Sequence, residues 1–158
     1  MSNDPLIITP AKAIDLDEIL TLFVDTINKV CARDYSPKQR SAWTAGAKNT
    51  ERWKKKLNRQ YFVVARLEET LVGFASLENN YIDFLFVHKD FQGHGIAGKL
   101  LDVLEQKASE SNIEKLVSDV SLIARPFFER AGFEVIQEQN KLIRGENLIN
   151  YRMQKMLT

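Results

Sequence analysis

The spacing of apolar positions changes near the middle of the chain. A short apolar run, Ile82–Val87, has the length of a buried strand. The glycine-rich segment Gln92–Gly98 follows it. The next apolar residues recur at helical spacing, and they are Ile96, Leu100, Leu101, Leu104 and Ala108. The pattern therefore predicts a strand that passes through a glycine turn into an amphipathic helix.

The residues before this segment predict helices and antiparallel strands. Asp15, with Glu18 in capping-box position, predicts the start of an amphipathic helix that ends near Ala32. Ser36 followed by Pro37 predicts the start of a second, short helix. The other predicted elements here are a strand at Leu6–Ile8, a short helix at Glu51–Asn58 and a hairpin of Tyr61–Leu67 with Leu71–Leu77.

The residues after the glycine turn predict a further strand, a short helix and a final hairpin. A helix connects Tyr81–Val87 to Lys115–Ser121, so these two strands are predicted to be parallel. Ala124–Arg130 predicts a short helix, which Gly132 ends. The predicted final hairpin joins Phe133–Gln139 to Leu148–Met156. This order predicts an α/β fold with a mixed sheet, formed by one domain over residues 1–158.

Composition excludes several classes of protein and site. The chain has 158 residues, 44% hydrophobic content and a net charge of +1, which give no general attraction to nucleic acid or anionic membranes. The single cysteine, Cys31, forms no internal disulfide and is typical of a reducing compartment. Two histidines and one cysteine give no metal-ligand spacing. No apolar stretch approaches the roughly 20 residues of a membrane span, and the first residues do not resemble a signal peptide. We therefore expect a cytoplasmic protein without a metal.

Two phosphate-binding motifs match the glycine turn in part. Its glycines and the following helix N-terminus gather unpaired N–H groups, which suits a phosphate. Gly93–Gly98 satisfies G-x-G-x-x-G, but His88–Gln92 separate it from the strand, and the preceding residues predict no successive βαβ units. Gly93–Lys99 satisfies G-x-x-x-x-G-K, but Leu100 stands where a Walker A loop needs Ser or Thr. An NAD- or ATP-dependent enzyme is therefore a less favoured alternative.

A third interpretation accounts for more of the chain. The pattern Gln92-x-x-Gly95-x-Ala97, between a strand and a helix, resembles the acetyl-CoA pyrophosphate motif of the GNAT superfamily of N-acetyltransferases. The segment Ala124–Phe133 also resembles that family, and the element order matches it over nearly the whole chain. The resemblance implies a splayed mixed sheet, with acetyl-CoA as co-substrate between two parallel strands. It also implies transfer of acetyl to a primary amine by direct attack.

The resemblance also implies which residues hold acetyl-CoA. Backbone groups of Leu85, Phe86 and Val87 are expected to contact the pantetheine arm. Arg125, at the start of the short helix, is expected near the adenosine end. The residues expected to hold the pyrophosphate through their N–H groups are Gln92, Gly93, His94, Gly95, Ile96, Ala97 and Gly98.

Two residues of the Tyr81–Val87 strand are candidates for the chemistry. If side chains alternate regularly, Tyr81, Asp83, Leu85 and Val87 share one face. Tyr81 and Asp83 stand where GNAT members often carry a Glu or His base. We expect Asp83 to act as the base, directly or through water, and Tyr81 to orient the acceptor or relay a proton. The structural alternatives are that Asp83 only holds a neighbouring loop and that Tyr81 only packs.

The sequence departs from the family at the usual acid. Many members have a tyrosine where this chain has Phe128, which cannot donate a proton. Many also have Asn where this chain has Ser121. The CoA thiolate then leaves unaided or takes a proton from elsewhere. Alternatively, catalysis has been lost, and the chain is a non-catalytic acyl-CoA-binding or sensor module.

The acceptor pocket is expected between the first two helices, because that segment covers the thioester in GNAT proteins. Arg33, Tyr35 and Trp43 are the candidates there, with Arg33 either holding a substrate carboxylate or forming a surface ion pair. The basic residues around Trp53 are expected to form a solvated helix face. The sequence leaves open whether the acceptor is a small-molecule or a peptide amine. It also leaves open a homodimer formed through an edge strand or the last hairpin.

Overall fold

The computed structural model describes residues 5–158, which are built around a seven-stranded sheet in the order β1-β2-β3-β4-β5-β7-β6. The strands are β1 Leu6–Pro10, β2 Tyr61–Leu67, β3 Thr70–Glu78, β4 Tyr81–Val87, β5 Lys115–Ser121, β6 Glu134–Ile143 and β7 Glu146–Met156. The helices are α1 Leu16–Val30, α2 Pro37–Thr44, α3 Thr50–Arg59, α4 Ile96–Glu110 and α5 Arg125–Arg130. None of the helices in this part of the chain is long and apolar enough to cross a membrane. The predicted α/β mixed sheet is confirmed.

The β4–β5 pair is the parallel pair of the sheet, and it separates almost at once. Only Tyr81 with Val117 and Ile82 with Ser118 are in register, and the described pairs of neighbouring strands are otherwise antiparallel. Beyond Ile82 the backbone of β4 therefore faces a gap where a ladder partner would normally lie. A single parallel pair also contradicts the dinucleotide-binding alternative, which needs successive βαβ units.

Helices cover both faces of the sheet and build two apolar clusters. On one face α4 buries Leu100 and Leu104 against β2, β3 and β5. On the other face α1 and α3 bury Phe23 and Trp53 against strand residues such as Phe74. The layers lie so close at Gly73 that an added Cβ would stand 2.9 Å from Leu100 Cδ1 and 3.0 Å from the Phe86 carbonyl oxygen.

The predicted start of α1 is confirmed in position, because Asp15 is the N-cap of the helix that begins at Leu16. The predicted capping box does not form, since Asp15 ends a short 3₁₀ turn before the helix and makes no side-chain capping hydrogen bond. Its Oδ2 instead accepts from the Lys12 N–H at 2.8 Å, and its Oδ1 pairs with Arg66 Nη2 at 2.7 Å. The predicted start of α2 is confirmed, since Ser36 and Gln39 form a reciprocal capping box.

The predicted alternation along β4 is wrong after Asp83. The pairing with β3 shifts because Ser76 pairs with Phe84 and Leu77 with Ile82, which leaves Asp83 as the extra residue of a β-bulge in β4. Leu85 and Val87 consequently pack with the α4 cluster. The aromatic residues Phe84 and Phe86 pack with the α1–α3 cluster instead.

Candidate active site

A cavity of about 1060 Å³ lies where β4 and β5 separate. Asp83–Val87 form one wall and residues 118–121 of β5 form another. The glycine turn, α5 and the segment between α1 and α2 also line it, together with side chains of α3 and of the β6–β7 hairpin. The cavity therefore joins the segments that the sequence assigned to the cofactor and to the acceptor.

The glycine turn leaves its backbone accessible from the cavity. Gly95 is the N-cap of α4 with φ +78°, a conformation that glycine adopts without strain, and it brings no side chain to cover the first-turn N–H groups. A Cβ placed on Gly93, Gly95 or Gly98 would meet no described atom within 4 Å. Gln92 Nε2 donates to the Val87 carbonyl at 2.7 Å and ties the turn to the end of β4. This arrangement fits an anionic phosphate group.

The structure brings most of the predicted cofactor residues to this cavity. Those that line it are Leu85, Phe86, Val87, Gln92, Gly93, Gly95, Ile96, Ala97 and Gly98. Among the described residues, His94 and Arg125 lie outside its lining. Arg125 instead pairs with Glu129 at 3.2 Å and lies 4.4 Å over the Tyr151 ring. Arg130, later on α5, lines the cavity and was not selected from the sequence.

Asp83 is held at one of its two carboxylate oxygens. Its Oδ2 accepts from Lys56 Nζ at 2.6 Å and from Gln60 Nε2 at 2.8 Å. The Lys56 ammonium also lies 4.9 Å from the centre of the Phe84 ring. Within residues 5–158 nothing hydrogen-bonds to Oδ1. The carboxylate is thus fixed and charge-compensated, with one oxygen available.

Sequence analysis missed both partners of Asp83. Lys56 was assigned to a solvated helix face, yet its side chain is only 14% exposed. The available signal was the spacing of Lys56 and Gln60, four residues apart and therefore on one side of the helix end.

Tyr81 belongs to a polar network with residues of β5, β6 and β7. Its hydroxyl donates to Asp119 Oδ2 at 2.9 Å, while Asp119 Oδ1 accepts from Arg152 Nε at 2.7 Å and from Gln139 Nε2 at 2.8 Å. Burial and the adjacent Asp119 charge raise the pKa of Tyr81 well above its usual range. Burial acts to raise the pKa of Asp119 as well, but the hydrogen bonds from Arg152, Gln139 and Tyr81 outweigh it and lower that pKa. Tyr81 therefore stays protonated beside the cavity.

The remaining predicted residues separate into lining and surface positions. Tyr35 and Trp43 line the cavity, whereas Arg33 is exposed and outside it. The Tyr35 hydroxyl donates to the Ile149 carbonyl at 2.6 Å and accepts from the Leu122 N–H at 3.1 Å. Tyr35 thus ties the segment between α1 and α2 to β7 and to the start of the loop before α5.

Two cavity residues have side chains that supply little chemistry. Burial raises the pKa of Cys31 to about 12, so its thiol is protonated and unreactive at neutral pH. Phe128 lines the cavity, is buried and packs edge-on against Phe133 at 5.0 Å. No proton donor stands at the position of the usual acid.

A mixed sheet that opens between two parallel strands, with a glycine turn and helix N-terminus at the opening, defines the GNAT class of acetyltransferase. Residues 31–155 match the family model described as an acetyltransferase (GNAT) domain. The chain therefore belongs to the GNAT acetyltransferase family, as its sequence predicted.

Individual relatives agree with this family over nearly the whole chain. The chain is 35% identical over 139 residues to the uncharacterised N-acetyltransferase YafP of Escherichia coli (strain K12), covering 88% of each. The structure of a GCN5-related N-acetyltransferase from Rhodopseudomonas palustris, which also carries the name aminotransferase, class-II, has a TM-score of 0.93 and 34% identity, covering 99% of this chain and 98% of that one. The PaiA N-acetyltransferase of Thermoplasma acidophilum in complex with coenzyme A has a TM-score of 0.80 and 18% identity, covering 97% of this chain and 99% of that one.

Proposed function

We propose that this protein transfers an acetyl group from acetyl-CoA to the primary amine of a small molecule or peptide. The observation that carries the proposal is the separation of β4 from β5 after Ile82, directly before the accessible glycine turn. The gap exposes backbone groups that pantetheine amides can pair with. The coenzyme A in the Thermoplasma acidophilum structure, which shares the fold, supports the same ligand.

The residues of the gap and turn fit acetyl-CoA. Backbone groups of Leu85–Val87 hold the pantetheine arm, and the N–H groups of Gln92–Gly98 hold the pyrophosphate. Arg130 lines the same cavity as the turn and contributes positive charge to it. When bound, acetyl-CoA supplies an activated acetyl thioester.

Asp83 is the proposed base. The ammonium form of an alkylamine has a pKa near 10, and the nitrogen attacks only after this form has lost a proton. Asp83 Oδ1, which faces no competing donor within residues 5–158, takes that proton directly or through water, while Lys56 and Gln60 hold Oδ2. The new N–C bond replaces the C–S bond, and the thiol that leaves has a pKa of only about 8.5. The thiolate can therefore leave without a protein acid, so Phe128 at the position of the usual tyrosine slows the reaction little.

The test is release of CoA from acetyl-CoA in the presence of a broad panel of amines, followed with a thiol reagent. Asp83→Asn should lower kcat about 100-fold or more and leave the Kd for acetyl-CoA unchanged. Asp102→Asn, at an exposed position of α4, is the matched control and should behave as wild type. Full activity of Asp83→Asn would show that Asp83 is not the base.

A second candidate function rests on Phe128 alone. A protein that binds acyl-CoA without catalysis needs no acid at this position, and Phe128 is a buried core residue. This alternative predicts tight acetyl-CoA binding with no CoA release for any amine. Turnover with one amine would exclude it.

A further inference from the structure

A second cavity, of about 470 Å³, adjoins the first on the other side of Asp83. The two cavities share four lining residues, namely Arg52, Lys56, Tyr81 and Asp83. An acceptor whose amine reaches Asp83 through the first cavity can therefore extend toward the second. The chemistry of this second cavity then bears on the class of acceptor.

The second cavity has more positive than negative charge. Its basic residues are Arg52, Lys55, Lys56 and Arg59, and its acidic residues are Glu78 and Asp83. Both acids are already paired, Asp83 with Lys56 at 2.6 Å and Glu78 with Arg59 at 3.3 Å. The side chains of Arg52 and Lys55 have no acidic partner within the described residues. The excess charge is local, because the whole chain carries only +1.

These cations lie far from the proposed pyrophosphate site. Residues at the beginning of β4 line the second cavity, whereas the glycine turn comes after the end of β4. Since β4 has seven residues, its two ends lie roughly 20 Å apart. Arg52, Lys55 and Arg59 recur at helical spacing, so one side of α3 presents them together. Their charge is therefore placed for the acceptor rather than for the cofactor phosphates.

A further arginine, Arg144, lines the first cavity close to α3. Arg144 Nη1 donates to the Ala42 carbonyl at 2.8 Å, and its Nη2 lies 3.8 Å from a Cβ placed on Gly46. The Gly46 carbonyl accepts from Trp53 Nε1 at 3.1 Å, and Trp53 is the neighbour of Arg52 in sequence. In the described chain Arg144 has no ion pair with an acid. Both cavities therefore have cations without an acidic partner close to α3.

Gln60 links the two acidic residues of the second cavity. Gln60 lines the second cavity and is 8% exposed. Its Nε2 serves both Asp83 and Glu78, while its Oε1 is buried without a partner in the described structure. This oxygen has under 1 Å² of accessible surface, so leaving it unpaired is the cost of directing Nε2 at both carboxylates. An acceptor with an amine and an anionic group matches the Asp83 carboxylate and the surrounding cations.

We propose that the acceptor is a small amine that also carries a carboxylate or phosphate, with its amine at Asp83 and its anion at Arg52 and Lys55. This inference rests on the proposed function. It excludes polyamines and other polycations, because each of the three carboxylates of the two cavities is already paired, Asp83 with Lys56, Asp119 with Arg152 and Glu78 with Arg59. A polycation would meet only uncompensated positive charge.

The first experiment compares kcat/KM for acceptors that differ only in the anionic group. L-Phenylalanine is paired with phenethylamine, O-phosphoethanolamine is paired with ethanolamine, and spermidine represents the polycations. The anionic member of at least one pair should be favoured about tenfold or more. The two pairs distinguish a carboxylate from a phosphate. In calorimetry with the CoA-saturated protein, N-acetyl-L-phenylalanine should likewise bind more tightly than N-acetylphenethylamine if the carboxylate is the anion.

The second experiment removes the cations. The double variant Arg52→Met/Lys55→Met should raise KM for the anionic acceptor about tenfold or more and leave the Kd for acetyl-CoA unchanged. Lys54→Met is the control, since Lys54 lies on the same helix and pairs with Glu51 outside both cavities.

The outcomes separate this inference from the proposed function. The anionic acceptor is overturned, and the acetyltransferase kept, if both phenethylamine and ethanolamine release CoA faster than their anionic counterparts, or if spermidine is the fastest acceptor. An unchanged KM in the double variant also overturns it. Acetyl-CoA binding without release of CoA for any amine overturns the proposed function, and the acceptor with it.

Discussion

The Asp83 carboxylate combines a fixed orientation with a free oxygen. Lys56 and Gln60 converge on Oδ2, so two neighbours set the position of this side chain. The Lys56 ammonium is itself positioned over the Phe84 ring. Both members of the ion pair are largely buried, with 14% and 17% of their side chains exposed. Removing the cation from such a pair leaves a buried charge without compensation, which is costly.

Lys56→Met should therefore destabilise the fold by about 1–4 kcal/mol, measured by urea unfolding at neutral pH. The matched control is Lys54→Met, whose pair with Glu51 is 56% and 78% exposed and should matter by less than about 1 kcal/mol. Equal effects of the two substitutions would show that Lys56 does not compensate Asp83.

Asp119 gives a prediction with a defined pH dependence. Its pKa is lowered in the folded protein, because the hydrogen bonds from Arg152, Gln139 and Tyr81 outweigh the effect of burial. A lowered folded pKa stabilises the fold at pH values above the unfolded value of about 4, and this stabilisation is lost as pH falls through the folded value.

Asp119→Asn should thus cost about 1–3 kcal/mol at pH 7, measured by chemical denaturation. The difference from wild type should shrink as the pH is lowered below about 4. A difference that stays constant from pH 7 to pH 3 would contradict the role assigned to the charged carboxylate.

At the scale of elements, the contact between β3 and α4 depends on a residue without a side chain. An alanine Cβ at Gly73 would stand 3.0 Å from the backbone oxygen of Phe86, which cannot move freely. Gly73→Ala should destabilise the protein by about 1–3 kcal/mol through overpacking. Gly98→Ala, inside α4 with open space at its Cβ, should be neutral or stabilise by up to about 1 kcal/mol. Urea unfolding of the two variants measures both, and an undiminished stability of Gly73→Ala would contradict the described contact.

The elements that sequence predicted best have a strong local signal. The bounds of β2, β4 and β5 agree with the prediction, because apolar runs between turn residues mark short buried strands. The bulge in β4 was not predictable, since Phe84, Leu85 and Phe86 are all apolar and show no alternation to indicate which face each occupies. The cap at Ser36 was predictable, and so was the position of Asp15 directly before α1. The side-chain partner of Asp15 was not, because Arg66 is distant in sequence.

The candidate site also has one part that the sequence could predict and one part that it could not. The glycine turn is contiguous, so its position could be predicted from spacing alone. The Asp83–Lys56 pair joins residues 27 positions apart, and the packing of α3 on the sheet decides whether they meet. The part of the site around Asp83 was therefore less predictable than the glycine turn.

At the scale of the whole molecule, the sheet is continuous except for the opening between β4 and β5. The order β1-β2-β3-β4-β5-β7-β6 places this opening inside the sheet rather than at an edge. The glycine turn lies beyond it on one side, and the Asp83 and Tyr81 groups lie at its start. Cofactor, thioester and acceptor amine can therefore meet within one cavity.

The most direct test of this arrangement is thermal unfolding with acetyl-CoA, CoA, NADH and Mg-ATP in parallel. A ligand at 100 times its Kd adds about 2.7 kcal/mol to the stability of the folded state. For a chain of this size that raises Tm by several degrees, at roughly 2–4 °C or slightly more per kcal/mol. We predict a rise with acetyl-CoA and CoA and none with NADH or Mg-ATP. A rise with NADH or Mg-ATP and none with either CoA species would contradict the assignment of the opening and its glycine turn to acetyl-CoA.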